Sequence, residues 1–493
     1  VMPSRERISP VDTAWLRMDS PNNLMQIIGV MLFDGELDPK RLKQAIEERM
    51  LSHRRFVQCV VEDDSGYWWE DDEQFSIDNH LHRVTLPHAA GNAELQDYVS
   101  GLAAEPLNRQ RPLWEFHLVD TSLGGQALVM RIHHCIADGI ALVGVVMSMT
   151  DVAPGNTTRR ARPTKRRAEA HEDGDSFWDM LWRPMAEALQ NPVRASANLV
   201  GKSVDLLSHP TQISHFLRLG SDIATEVAKL AFMANDSPTR FKGVPGTNKR
   251  FAWSERLPLP DIKSVGKVLG CSVNDLLLSA VAGALRDYLV DQGDEVDGVE
   301  VRAMVPVNLR QAGDEGKLGN RFGLVAMVLP VGIENPLARL YATRSRMEAL
   351  KNSYQAPLTL TILGAVGVMP RIVQQQVLEL LASKATAVMT NVPGPTNALY
   401  LAGARMTQPL FWVPQSGDIG IGVSILSYDG GVQIGLMTDD RLVADPQRIA
   451  DNFAREFEKL LMLVLMEPWE RLGDPSAVEA ALLEEGSLAE PKT

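Results

Sequence analysis

The chain has 493 residues, 45% of them hydrophobic and 23% charged, enough to bury a core larger than one ordinary domain and too apolar for a disordered chain. Its net charge of -13 argues against a general nucleic-acid-binding surface, which needs a basic face to displace counterions. Cys59, Cys135 and Cys271 are few, scattered and odd in number, which excludes a disulfide framework or a CxxC metal site and makes a reducing cytoplasm the expected compartment.

The opening stretch, VMPSRERISPVDTAWLRMDS, carries charges where a signal peptide would need an apolar centre, so no secretory signal is expected. Beyond it, MQIIGVMLF (25–33) reads as a strand and DPKRLKQAIEERML (38–51) as a helix, with Leu42, Ala45 and Ile46 at helical spacing. FVQCVV (56–61), WEFHLV (114–119) and QALVMRI (126–132) are further strands, with a helix over 92–105 between them. ALVGVVMSM (141–149) has the composition of a packed helix. These elements form a first lobe, residues 1–152.

Residues 153–175 lose all hydrophobic period, and their basic cluster (Arg159, Arg160, Arg162, Lys165, Arg166 and Arg167) reads as a solvated linker that can also steer anions or touch a membrane. A strand-poor, helical pattern follows over 176–235, so 153–248 is expected to be a charged linker and helical crossover. The second α/β lobe, 249–493, contains helical runs at 272–290 and 334–382. Its strands are VEVRAMVPVNL, FGLVAMVLPV, ATAVMTNV and DIGIGVSILSYDGGVQIGLMT, the last with a DGG hairpin turn. An amphipathic helix spans 445–465. No run reaches the roughly 20 apolar residues of a spanning helix, while peripheral attachment to a membrane or lipid inclusion stays open.

The most informative stretch is RIHHCIADGI (131–140), where two histidines, an aspartate and a glycine interrupt a strongly apolar context. Buried polar groups cost free energy unless they are paired or used. Adjacent strand residues face opposite sides, so one of His133 and His134 is expected to work and the other to pack. Asp138 follows across a turn completed by Gly139, a residue free to adopt unusual backbone angles, and either orients the imidazole or ties down the loop. A metal site is disfavoured, because there is no HExxH arrangement and no further ligand nearby. A buried structural pair is the plain alternative. A catalytic base is the favoured reading, because histidine titrates near neutrality.

HHCIADG matches the HHxxxDG signature of CoA-dependent acyltransferases, the superfamily resembling chloramphenicol acetyltransferase. With PLW in RPLWEFHLV (Pro112, Leu113, Trp114), ND in SVNDLLLSAVAGAL (Asn274, Asp275) and TNVPGP (390–395), the chain resembles the bacterial wax ester synthase/diacylglycerol acyltransferase family from about residue 8 to 466. The resemblance implies two chloramphenicol-acetyltransferase-like α/β lobes, with mixed sheets and helices, joined by a helical crossover around an active-site tunnel. It implies transfer of a long acyl chain from acyl-CoA, as co-substrate and without a cofactor or metal, to a fatty alcohol or a diacylglycerol. His134 would be the base and His133, Asp138 and Gly139 its supports. Thr390 and Asn391, at the end of an apolar strand, are candidate oxyanion contacts.

The other motifs have plain readings. Ser272 and Asp275 have capping-box spacing, which makes capping or lobe packing the expected role of Asn274 and Asp275. Trp114 suits packing, and Gly394 with its prolines suits a turn. A covalent route through Cys135 is disfavoured, since it diverges from its histidine neighbour along the strand. The rival functions are another superfamily branch with a small alcohol or amine acceptor, and a non-catalytic lipid-binding or lipid-droplet protein anchored by residues 356–385.

Overall fold

The computed structural model describes residues 5–86, 91–121, 124–154, 236–308, 318, 320, 322–351, 383–468, 472–474, 476 and 478. The basic cluster after Arg159, the crossover expected over 176–235 and most of the stretch 356–385 lie outside the described residues.

In chain order the first part runs β1 (Glu6–Arg7), α1 (Pro10–Met18), β2 (Gln26–Asp34), α2 (Pro39–Ala45), β3 (Gln58–Asp63), β4 (Gly66–Asp71), β5 (Leu81–Thr85), α3 (Asn92–Ala103), β6 (Trp114–Asp120), β7 (Gln126–His133) and α4 (Gly139–Ser148). The second runs β8 (Lys249–Trp253), β9 (Leu257–Pro258), α5 (Leu259–Leu269), α6 (Val273–Asp291), β10 (Val301–Asn308), β11 (Phe322–Leu329), α7 (Pro336–Lys351), β12 (Ala387–Pro393), β13 (Tyr400–Leu401), β14 (Ala404–Trp412), β15 (Ile421–Tyr428), β16 (Gly431–Asp439) and α8 (Pro446–Met466).

Two mixed sheets dominate. The first has the order β13-β14-β2-β7-β6-β5, and the second β11-β10-β12-β15-β16-β8 with β9 also paired to β16. Every residue of β7 is buried, because it lies between β2 and β6 with both faces covered, so its middle, residues 127–130, reads as an unbroken apolar run rather than an alternation. One face holds Leu128, Met130 and Ile132; the other holds Ala127 and Val129 against Leu95, Val99 and Leu102 of α3. In the second half Leu277, Val281 and Leu285 of α6 and Phe453 and Phe457 of α8 bury the sheet residues Ala387, Val423 and Ile434. The DGG turn joins β15 to β16 with Asp429 and Gly430 both at positive φ, the backbone of a tight hairpin turn.

The first sheet does not follow the contiguous segments 1–152 and 249–493, because β13 and β14 come from the second half. β14 pairs antiparallel with β2, placing Leu410 opposite Val30. Its end, Trp412, meets Phe251 edge-on at 4.9 Å and Trp253 at 6.3 Å, so an apolar cluster bridges the two sheets. Gly435 is required there, since a Cβ would lie 2.7–2.8 Å from the Trp412 indole.

Several elements depart from the sequence expectations. Residues 54–57 form a 3-10 turn, so the strand expected from Phe56 begins at Gln58. The short edge strand β5 and β14, with Pro409 inside it and a register irregularity between Met406 and Gln408, carry weak periodic signals. The helices α1 and α5 were not expected, although Ile262, Val265, Gly266 and Leu269 of α5 are buried at helical spacing. Among the described residues no single helix is long and apolar enough to cross a membrane.

Candidate active site

β7 ends inside the motif, and backbone hydrogen bonds hold the next two peptides on opposite sides. The His133 N–H donates to Leu113 O (2.9 Å), and the His134 N–H donates to Met25 O (2.8 Å). Both histidines are buried, but in different chemical surroundings.

His133 faces polar groups. The Cys135 N–H donates to its Nδ1 (3.1 Å), so Nδ1 is the acceptor and Nε2 carries the proton. Nε2 lies 3.8 Å from Asp19 Oδ2, too long for a hydrogen bond but close in charge. Asp19 also accepts from Met25 N–H and Arg109, both at 2.9 Å. Burial alone would raise the Asp19 carboxyl pKa; His133, Met25 N–H and Arg109 outweigh it and hold the group below its ordinary value.

His134 faces aromatic groups. Its ring stacks on Trp15 (centroids 4.0 Å, planes 22° apart) and lies 5.8 Å from Phe322. Its Nδ1 is buried without a hydrogen-bond partner. Burial is the main cause that brings its pKa down to about 4, so the ring is neutral at physiological pH. The peptide is anchored by Asn320, whose Nδ2 donates both to His134 O and to Asp12 Oδ1, each at 2.7 Å. Burial also raises the pKa of Asp12, a buried residue on α1.

Asp138 is the N-cap of α4 and accepts from Ala141 N–H at 2.9 Å, and its charge favours protonation of His134. Gly139 differs from expectation. Its φ is not positive, and a Cβ there would meet only Val413 at an ordinary 3.5 Å, so the turn itself does not demand glycine. The PLW residues hold the motif in place from behind. Pro112 O accepts from Trp114 N–H, Leu113 O accepts from His133, and fully buried Trp114 donates to Phe56 O (2.8 Å) while stacking on His80.

The remaining motifs form a second polar cluster. Ser272 and Asp275 cap α6 reciprocally, and Asn274 accepts a 2.6 Å hydrogen bond from Asn391 across to β12. Thr390 is buried with its hydroxyl unpartnered, as is its cross-strand neighbour Ser424. Gly394 serves a close approach rather than a turn, because its N–H reaches Ser427 O at 2.8 Å and a Cβ would lie 2.3 Å from that oxygen. Beside these motifs lies an apolar recess lined by Met130, Ile132, Gly139, Leu142, Gly394 and Leu426 among others. Cys135 is buried, and burial pushes its thiol pKa well up, which removes the thiolate a covalent route would need.

Sequence reasoning did not find Asp12, Trp15, Asp19, Asn320 or Phe322. Asp12 and Trp15 stand at i and i+3 on α1, a spacing legible in DTAWLRMDS, and Asp19 caps the end of that helix in a non-helical conformation. Asn320 and Phe322 reach the site from far along the chain, and no local pattern marks them.

Comparison with known proteins fits this arrangement. Residues 8–277 match the wax ester synthase/diacylglycerol acyltransferase catalytic domain and 318–461 the WS/DGAT C-terminal domain. A probable diacylglycerol O-acyltransferase of Mycobacterium tuberculosis is 27% identical over 408 residues, covering 80% of this chain and 81% of the relative. The fold matches the wax ester synthase/diacylglycerol acyltransferase of Marinobacter aquaeolei VT8 with a TM-score of 0.65 at 20% identity, over 94% of this chain and 100% of that one. It also matches the starter condensation domain of rhizomide synthetase, solved with C8-CoA and Leu-SNAC, with a TM-score of 0.57 at 13% identity, over 94% and 96% of the two chains. The chain belongs to the wax ester synthase/diacylglycerol acyltransferase family and is an acyl-CoA-dependent acyltransferase.

Proposed function

We propose that this protein transfers a long acyl chain from acyl-CoA to the hydroxyl of a fatty alcohol or a diacylglycerol, with His134 as the general base. The observation that carries the reading is a neutral, aromatic-boxed imidazole in a motif whose own helix, α4, lines an apolar recess. An apolar wall suits an alkyl chain and disfavours a small amine or sugar acceptor.

In this mechanism the neutral imidazole of His134 takes the proton of the acceptor hydroxyl as its oxygen attacks the thioester carbonyl. The new C–O bond forms, the tetrahedral oxyanion collapses, the C–S bond breaks, and the CoA thiolate leaves and recovers the proton from the imidazolium. With a pKa about 4, that imidazolium is a ready acid toward a thiolate. Thr390, whose buried hydroxyl lacks a partner, is a candidate donor to the oxyanion, and Asn391, tied to Asn274, is the other. Thioester activation supplies the driving force, so the chemistry calls for no cofactor beyond the co-substrate. The proposed compartment is the cytoplasm, with peripheral attachment to a membrane or lipid inclusion; Met462, Leu465 and Met466 stand exposed near the end of α8.

The test offers palmitoyl-CoA with hexadecanol and with a diacylglycerol in parallel, measuring free CoA thiol and neutral lipid. Activity is expected to rise with alcohol chain length. A preference for ethanol or an amine would move the protein to another branch of the superfamily, and a folded, substrate-binding protein without thiol release would favour a lipid-binding role.

A further inference from the structure

We propose that His82, Glu115 and His117 form a binding site for a divalent transition metal of the zinc type, on the two outer strands of the first sheet. The placement follows from strand geometry. β5 pairs with β6 in parallel so that His82 lies directly opposite His117, and Glu115, two residues before His117, projects from the same face. One ligand atom from each of the three lies within 4.8 Å of the other two. Tetrahedral zinc with bonds near 2.0–2.1 Å separates its ligands by about 3.4 Å, so closure needs small rotamer movements and no backbone change.

His117 is already oriented as a ligand. Its Nδ1 is hydrogen-bonded to Tyr98 Oη at 2.9 Å, the outer contact that commonly fixes the ring of a metal-bound histidine. Its Nε2 is buried, has no hydrogen-bond partner and lies 3.5 Å from Glu115 Oε2, while the whole residue is only 7% exposed. The His82 ring lies 4.9 Å from that of His117 at a 38° tilt. An unprotonated nitrogen at that position would accept nothing from the fold, and a cation would satisfy it.

Glu115 is shared with Arg131 on the adjacent strand, which is the feature that opposes a cation. Arg131 is held independently, however, by the carbonyls of Leu102 (2.7 Å) and Glu105 (2.8 Å). Oε2 of Glu115 is both the oxygen on Arg131 and the one facing His117, so the carboxylate must rotate to keep one oxygen on Arg131 and give the other to the ion. Two imidazole nitrogens and one carboxylate oxygen, with water in the fourth position, suit zinc or cobalt(II) better than calcium or magnesium, which take all-oxygen shells. The ion would clamp the edge strand β5 to β6.

The experiment strips the full-length protein with EDTA and titrates Zn²⁺ calorimetrically and Co²⁺ by visible absorption, with melting temperature recorded alongside. One equivalent is expected to bind with a rise in melting temperature, and His82→Gln, on the edge strand, should weaken binding by about tenfold or more while remaining folded. His134→Ala, which disables the competing histidine pair, should bind the metal as wild type does. Absence of stoichiometric binding, binding unaffected by His82→Gln, or binding lost only in His134→Ala would each overturn the proposal.

Discussion

His133 and His134 are adjacent in sequence and opposite in chemistry. His133 sits beside the carboxylate of Asp19 and accepts from a backbone N–H, whereas His134 sits between two aromatic rings. β7 ends at His133 and the turn that follows carries His134, so the end of the strand separates them, and each meets a different environment: polar groups fix a tautomer on one, and aromatic groups keep the other imidazole neutral. The difference teaches that a doubled histidine need not mean a shared task.

Removing each side of this pair should fail differently. His134→Ala should leave a folded protein that binds acyl-CoA but turns over roughly 10²-fold or more slowly, the scale of general-base loss; thiol release and acyl-CoA binding measured together check this. Near wild-type turnover would assign the base to the wrong histidine.

The same residue sets a pH dependence. Its folded pKa, about 4, lies below the ordinary 6.5, so the unfolded chain takes up the proton first as pH falls. The contribution is fully present above pH 6.5 and is lost as pH falls toward 4, about 3 kcal/mol at its limit by linkage. Denaturant unfolding at several pH values should show that slope, and the slope should flatten in His134→Ala.

His133→Ala should lower stability by about 1–3 kcal/mol, because it removes a buried hydrogen-bond acceptor and leaves the Cys135 N–H unsatisfied. The purified variant should retain measurable activity. Loss of turnover at unchanged melting temperature would give this side of the strand a part in the chemistry.

The smallest effect concerns the helix that follows both. Asp138→Ala should cost about 1 kcal/mol as a lost N-cap, and Asp138→Asn less, since asparagine caps nearly as well. If Asp138→Asn keeps full thermal stability but has no turnover, the carboxylate acts on His134 through its charge rather than through the cap.

Much of this site was legible because its parts are local. Although the strand expected to run through both histidines ends at His133, the HHxxxDG motif, the capping box at Ser272 and Asp275 and the hairpin at Asp429 and Gly430 are each written within a few residues. The aromatic box was not, since Trp15 and Phe322 meet His134 only after the chain has folded. Nor was β14, where Pro409 and an irregular register hide a strand that tertiary pairing imposes.

That strand also sets a timetable for biosynthesis. When His133 leaves the ribosome, β2 and β7 can pair, yet the other edge of β2 has no partner until Trp412 emerges about 280 residues later, a delay of tens of seconds at roughly 5–20 residues per second. Over that interval the nascent chain exposes an apolar, hydrogen-bonding edge to any neighbour. A chain interrupted before residue 404 would keep the whole HHxxxDG motif and still lack the strand that closes its sheet, so message truncations should yield insoluble protein rather than a smaller enzyme.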